Sequence, residues 1–187
     1  MLTRIAILDC TEEIIRSEGL SALSISRISR IVGIQKSSLF HHSESKSNLL
    51  NVVFERYAER FYETLNEISQ TDLTAAQKLE RYFEESRRVI VGENSICLSI
   101  VLCAAKGTIN DKIRQMLIEF QDYNIEWLET VFRLGNRDGS LRIVPDPRSE
   151  AFATLAAIDG AQILSQSYNQ LSYFDTIVEK LRIQKAP

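Results

Sequence analysis

Proline is scarce in this chain. Of 187 residues only Pro145, Pro147 and Pro187 are proline, and the first 144 contain none. Proline breaks helix interiors, so its absence leaves long helices permitted over that whole stretch. Strand signals are also thin. No Asn-Gly or Asp-Gly pair lies between alternating apolar runs; Asp138-Gly139 leads into Ser140-Leu141-Arg142 and then Pro145, which reads as a helix end and a loop. Three cysteines, Cys10, Cys97 and Cys103, cannot form a complete disulfide set, and no two have the C-x-x-C spacing of a zinc or redox motif. Such usage fits a reducing compartment, so a cytoplasmic location is expected. No apolar run approaches the roughly 18 residues that a membrane span needs. The opening Met-Leu-Thr-Arg-Ile lacks the basic-then-apolar order of a secretory signal. Catalytic signatures are missing as well: there is no Gly-rich phosphate loop, H-E-x-x-H, nucleophile elbow or E-x-x-H pair. Neither enzyme activity nor a cofactor is expected. His41 and His42 are adjacent, but neighbouring side chains diverge on a helix and no cysteine or carboxylate pair supports them, so no metal is expected either.

What the chain has is apolar residues at helical spacing. Hydrophobic residues are 44% and charged residues 25%, an ordinary globular composition. The periodicity predicts an all-α fold of about nine helices, at 3–18, 24–31, 35–42, 45–69, 73–91, 95–106, 110–135, 147–168 and 172–184. Helix 45–69 shows the clearest stripe: Leu50, Phe54, Tyr57, Phe61, Leu65 and Ile68, in steps of four and three. Ser43 or Ser45 is its expected cap. Most of the glycines, Gly19, Gly33 and Gly135 among them, sit where such a pattern stops, as helix C-caps should. Charge is uneven. Residues 24–48 carry Arg27, Arg30, Lys36 and Lys46 against Glu44, a net +3 in a chain of −3, so the remainder carries −6. An acidic body with one basic face suits a polyanion at that face, or is simply a solvated helix surface.

Residues 24–43 read SISRISRIVGIQKSSLFHHS. Ser24 is a good N-cap for a helix whose inward positions are Ile25, Ile28 and either Ile31 or Val32. Gly33 follows at once and permits a sharp turn with φ > 0. A second helix then starts near Gln35, anchored inward by Leu39, and Ser29 is small where two crossing helices come closest. Ile28, Ser29, Val32, Gly33, Ile34 and Leu39 together have helix-turn-helix spacing.

From these residues the chain resembles the TetR-type transcriptional regulators. The matching strings are Ile7-Leu8-Asp9, Glu18-Gly19, Ile28 with Val32-Gly33-Ile34, Leu39-Phe40-His41-His42, and Lys46 followed by Leu49-Leu50. The resemblance implies a three-helix DNA-binding domain at 1–48, with its motif at 24–43, and a helical effector-binding and dimerising domain at 49–187. It implies a homodimer, built on helices 147–168 and 172–184, that grips a palindromic double-stranded operator, and repression released by a small molecule. The sequence departs from the family pattern in several places. Phe40 stands where a tyrosine hydroxyl usually meets phosphate, Ser43 replaces an apolar plug, and Ser29 and Val32 stand where alanine is frequent. A long basic arm before the first helix is not expected.

Gln35, Lys36, Ser37 and Ser38 are the expected base readers, because Gln pairs with adenine, Lys with guanine, and Ser with a base or phosphate. Phe40 is a packing residue or a thymine-methyl contact. His41, His42, Lys46, Thr3, Arg4 and Ser24 are expected at phosphates, Lys46 helped by a helix N-terminus. On the helices that surround an effector pocket in this family lie Tyr82, Phe120, Tyr123, Trp127 and Phe152, which are either pocket or plain core. Cys97 and Cys103, six apart on one expected helix and so about 240° apart around it, read as core thiols or as sensors of an electrophile. Asp159, in ATLAAIDGAQIL, is a polar anchor for a ligand or for a dimer partner, or it lies on a wet edge. The expected effector is apolar or aromatic. A helical adaptor or a helical enzyme without DNA binding is the alternative, and salt-dependent binding to duplex DNA separates them.

Overall fold

The protein is described here by a computed structural model over residues 2–37, 45–90, 95–105 and 107–182. Those residues hold eight α-helices and no β-strand: α1 (Leu2–Glu18), α2 (Ile25–Val32), α3 (Lys46–Ser69), α4 (Ala75–Arg88), α5 (Leu98–Ala104), α6 (Asp111–Asp138), α7 (Pro147–Tyr168) and α8 (Ser172–Arg182), with a 3-10 turn at Leu20–Ala22. The expected all-α class holds, and the helix count is close to nine. The expected 35–42 helix is described only to Ser37, with Lys36 and Ser37 helical.

Helix ends follow local chemistry. Asp146 accepts the Ser149 N–H at 3.2 Å and Pro147 occupies the first turn of α7, where no N–H is needed. Thr74 and Gln77 form a reciprocal capping box that starts α4 two residues later than expected. The helix expected at 95–106 begins only at Leu98. Ile96 has its N–H on the Arg16 carbonyl at 3.5 Å and its carbonyl on Arg16 Nε at 3.1 Å, so it is committed outside any helix. Cys97 therefore precedes α5 and does not share a helix with Cys103. Gly135 does not stop α6. The helix runs on to Asp138, and Gly139, at φ 70°, ends it. Gly135 is a close approach: a Cβ there would stand 2.6 Å from Leu141 Cδ1 and 2.8 Å from its Cβ.

The chain packs as two compact units. The first comprises residues 1–60 and 95–118, the second residues 61–94 and 119–187, so α3 and α6 each contribute to both. In the first, Ile7, Ile15, Ile28, Leu49, Val53, Phe54, Leu98 and Ile113 are fully buried. A buried carboxylate, Glu12, is gripped by Arg60 at 2.7 and 2.8 Å, with Arg16 at 3.5 Å and Arg56 at 3.6 Å. That concentration of cations satisfies a charge that would be expensive alone. In the second, Leu65, Leu79, Phe83, Leu128, Phe132, Ile158 and Phe174 form the core. Lys78, buried, reaches the end of α3 and donates to three carbonyls, Ile68 at 3.2 Å, Ser69 at 2.7 Å and Thr71 at 2.8 Å. The Ile68 carbonyl also accepts from the Thr71 N–H at 3.3 Å and the Thr71 hydroxyl at 2.6 Å, so the ammonium and Thr71 together cap the end of α3. Arg87 with Asp175, and Arg182 with Glu80, tie α8 to α4.

Candidate nucleic-acid interface

The interface is built from α1 outward. Ile7, Ile14 and Ile15 of α1 are buried, and α2 packs against it through Ile28 and the small Ser29. Ser24 Oγ accepts the Arg27 N–H at 3.2 Å, so the predicted N-cap is in place. Of the two alternatives at the end of α2, Val32 is half-buried and Ile31 points outward at 56% exposure. Gly33 takes φ 74° and ψ 31°, and the N–H groups of Gly33 and Ile34 return to the Ser29 carbonyl. This left-handed cap closes one helix and turns the chain toward the next. Gln35, Lys36 and Ser37 follow, all exposed. Ser38, Phe40, His41 and His42 lie outside the described residues.

Lys46 opens α3 and is exposed. Ser45, one of the two expected caps, accepts the Asn48 N–H at 3.0 Å. The first turn of α3 therefore places a cation at a helix N-terminus, an arrangement suited to a phosphate. Thr3 and Arg4, on the first turn of α1, are exposed too, as is Ser24. Arg27, counted above with the basic face, instead pairs with Glu18, whose carboxyl it holds below the ordinary range through their hydrogen bond. A feature that the sequence did not single out stands next to Lys46. The Asn110 amide donates to Ser47 Oγ at 2.5 Å and to Asn51 Oδ1 at 3.1 Å, while its oxygen accepts the Ile113 N–H at 2.8 Å.

The residues expected at an effector divide between the two units. In the first, Cys97 is buried, 3.0 Å from the Tyr57 hydroxyl and 3.0 Å from Ser99 Oγ. Burial, then the neighbouring thiol, raises the Tyr57 hydroxyl well above its usual pKa. Cys103 is exposed. In the second, Tyr82 stacks on Trp127 with ring centres 5.5 Å apart. Trp127 Nε1 donates to the Leu65 carbonyl at 3.0 Å and to Ser69 Oγ at 2.8 Å. The Tyr82 hydroxyl donates to Asn124 at 3.3 Å. Phe120 packs on Phe61 and Tyr62, and the Tyr123 hydroxyl donates to Asn66 at 2.9 Å. Phe152 is exposed, with the Arg148 guanidinium 5.7 Å from its ring centre. Asp159 is half-buried, and loss of water around its carboxyl raises its pKa to about 6. Two grooves lie elsewhere: one of about 560 Å³ beside Ile5, Leu8 and Val52, the other of about 480 Å³ beside Ile68, Thr71 and Leu73.

Residues 7–53, from α1 into α3, match the family described as bacterial regulatory proteins, tetR family. A fatty acid metabolism regulator protein of Bacillus subtilis (strain 168) is 21% identical over 179 residues, which span 94% of this chain and 91% of that one. The fold is shared along the whole length with a TetR-family transcriptional regulator from Agrobacterium tumefaciens, at TM-score 0.93 and 20% identity, covering 100% of this chain and 98% of that one. It is shared equally with a regulatory protein TetR from Rhodobacter sphaeroides, at TM-score 0.91 and 17% identity, covering 100% of both. No helix among the described residues is long and apolar enough to cross a membrane. Residues 7–53 thus match the tetR family of bacterial regulatory proteins, and the chain as a whole has the fold of the TetR-family structures.

Proposed function

We propose that this regulator is a homodimeric repressor that reads a palindromic operator with residues 35–38 and changes its grip when a small apolar or aromatic effector binds. The observation that carries the DNA side is the left-handed Gly33 turn between a capped, buried α2 and the exposed run Gln35-Lys36-Ser37. Base edges in the major groove are reached by such an exposed helix start. Lys46, Thr3, Arg4, Ser24, His41 and His42 are positioners on phosphates, which fix register and carry no sequence information. Ser38 completes the reading run, and Phe40 packs or meets a thymine methyl.

The effector side rests on the aromatic wealth of the second unit, where Tyr82, Phe120, Tyr123 and Trp127 gather, with Asp159 as a polar anchor. Cys97 and Cys103 lie in the first unit and bear on it only as thiols. That a relative regulates fatty acid metabolism supports an apolar effector class. The homodimer rests on α7 and α8, which leave Phe152, Ile163, Leu164 and Tyr168 of α7 and Tyr173 of α8 exposed. Exposed apolar side chains gathered in one region mark an interaction surface.

The test is fluorescence anisotropy with DNA from beside the protein's own gene and with random duplex, at several salt concentrations. Gln35→Ala or Lys36→Ala is expected to cost about 1–3 kcal/mol on the operator where the contact is bidentate, with less effect on random DNA. Lys46→Ala is expected to weaken both alike and to lower the salt slope by about one. If every substitution at 35–38 leaves the operator-to-random ratio unchanged, these residues are not the readers.

A further inference from the structure

We infer that Asn110 is a positioning residue for DNA binding: its side-chain amide latches the first turns of α3, and thereby sets where Lys46 meets the phosphate backbone. This rests on the reading of Lys46 as a phosphate contact. Asn110 lies in the segment between α5 and α6, far along the chain from the DNA-binding helices, yet within the same compact unit. Its amide is used at both ends. The oxygen takes the Ile113 N–H at 2.8 Å and so caps α6. The nitrogen's two hydrogens go to Ser47 Oγ at 2.5 Å and Asn51 Oδ1 at 3.1 Å. Ser47 and Asn51 are four residues apart, so they share a face of α3 and present two acceptors to one donor group. Lys46 precedes Ser47, and Ser45 caps the same turn through the Asn48 N–H.

The consequence is geometric. The first turn of a helix has no internal partner for its N–H groups, and terminal turns fray. Here the start of α3 is pinned to the start of α6 by two hydrogen bonds. A helix start held in one place keeps its cation at the phosphate. A fraying start loses that contact, although the rest of α3 stays buried through Leu49, Leu50, Val53 and Phe54. Asn110 touches no DNA in this scheme; it acts through Ser47 and Asn51.

The experiment is a double-mutant cycle on the full-length chain, with operator and random duplex as probes and salt titrations as readout. Ser47→Ala/Asn51→Ala removes the acceptors and leaves both helix caps, Ser45 on Asn48 and Asn110 on Ile113, intact. It is expected to weaken binding to both DNAs about tenfold, the loss of one charge-assisted contact, and to lower the salt slope by about one. Lys46→Ala in that background is expected to add less than about a twofold further loss, because the contact is already gone. Ser47→Thr keeps the hydroxyl and is expected to keep the wild-type slope. Reduced folding alone would lower the active fraction without changing the slope. Should the double variant not fold, Ser47→Ala alone, at an exposed position, carries the same test in smaller measure. Equal losses from Lys46→Ala with and without the acceptors overturn the latch, as does an unchanged affinity and slope in the Ser47→Ala/Asn51→Ala variant. If Lys46→Ala is silent in the intact chain, the phosphate reading fails by itself; a loss of DNA binding on removing the acceptors then still upholds Asn110 as a positioner, and no loss overturns it.

Discussion

Lys78 and Asp159 show how one polar side chain fares in two different surroundings. The Lys78 ammonium is buried but has three carbonyl partners, so the α3 C-terminus gains a cap that water would otherwise supply. Lys78→Met keeps the apolar stem and takes the ammonium away from the Ser69 and Thr71 carbonyls. It is expected to lower unfolding free energy by about 1–3 kcal/mol, read by denaturant titration, with no change in DNA affinity beyond the folded fraction. For Asp159 no described side chain offers a compensating charge, and desolvation alone lifts its pKa from 3.8 to about 6. A carboxyl raised in the folded state binds its proton more tightly there than in the unfolded chain. Stability is therefore full below about pH 4 and is lost as pH rises to about 6. Asp159→Asn is expected to stabilise the protein above pH 6, on the order of 1–2 kcal/mol after allowance for its remaining access to water, and to make no difference at pH 4. A gain of the same size at both pH values would refute this account.

Among the elements, α6 and α7 put glycine to opposite uses. Gly135 lets Leu141 lie against α6, where a Cβ would meet it at 2.6 Å. Gly160, in the middle of α7, has nothing within 4 Å of such a Cβ. Alanine is the better helix former by about 1 kcal/mol at either position. Gly160→Ala, made in an Ile163→Glu background so that no second helix covers the position, is expected to raise stability by up to that amount. Gly135→Ala is expected to lower it by about 1–3 kcal/mol, because overpacking against a buried leucine outweighs the propensity gain. Thermal melts of the two variants check the opposite signs. From the sequence Gly135 reads as a stop, since periodicity weakens there. The stop is Gly139, where the backbone requires positive φ. One-dimensional spacing cannot tell a glycine needed for its backbone from one needed for the room beside it.

For the whole molecule, the outward side of α7 bears on assembly. Phe152, Ala156, Gly160 and Ile163 recur at steps of four and three, and Phe152 and Ile163 are 50% and 45% exposed. An apolar stripe of that spacing is left for a second helix face. Ile163→Glu is expected to convert the proposed homodimer to a monomer in sedimentation velocity at micromolar concentration. Operator affinity should then fall with it, because two half-sites are gripped only by two linked copies. A wild-type chain that is monomeric under those conditions would refute the homodimer.

Much of this protein is set by local sequence. The absence of proline before residue 145, the Ser24 and Asp146 caps, the Gly33 turn and the apolar stripe of α3 are decided by neighbours within a few residues. They were legible because capping and periodicity act over one or two turns. Hence the all-α class and the helix-turn-helix can be read from the letters. The tertiary structure decided what depends on distant partners. It sent Val32 rather than Ile31 inward, held Ser95 and Ile96 out of α5 by giving them to Arg16, and placed Cys97 against Tyr57. It also brought Asn110 to Ser47 and Asn51, across about sixty residues of chain. Nothing in the spacing of single letters encodes such contacts, since each is a hydrogen bond whose two ends become neighbours only when the helices between them have packed.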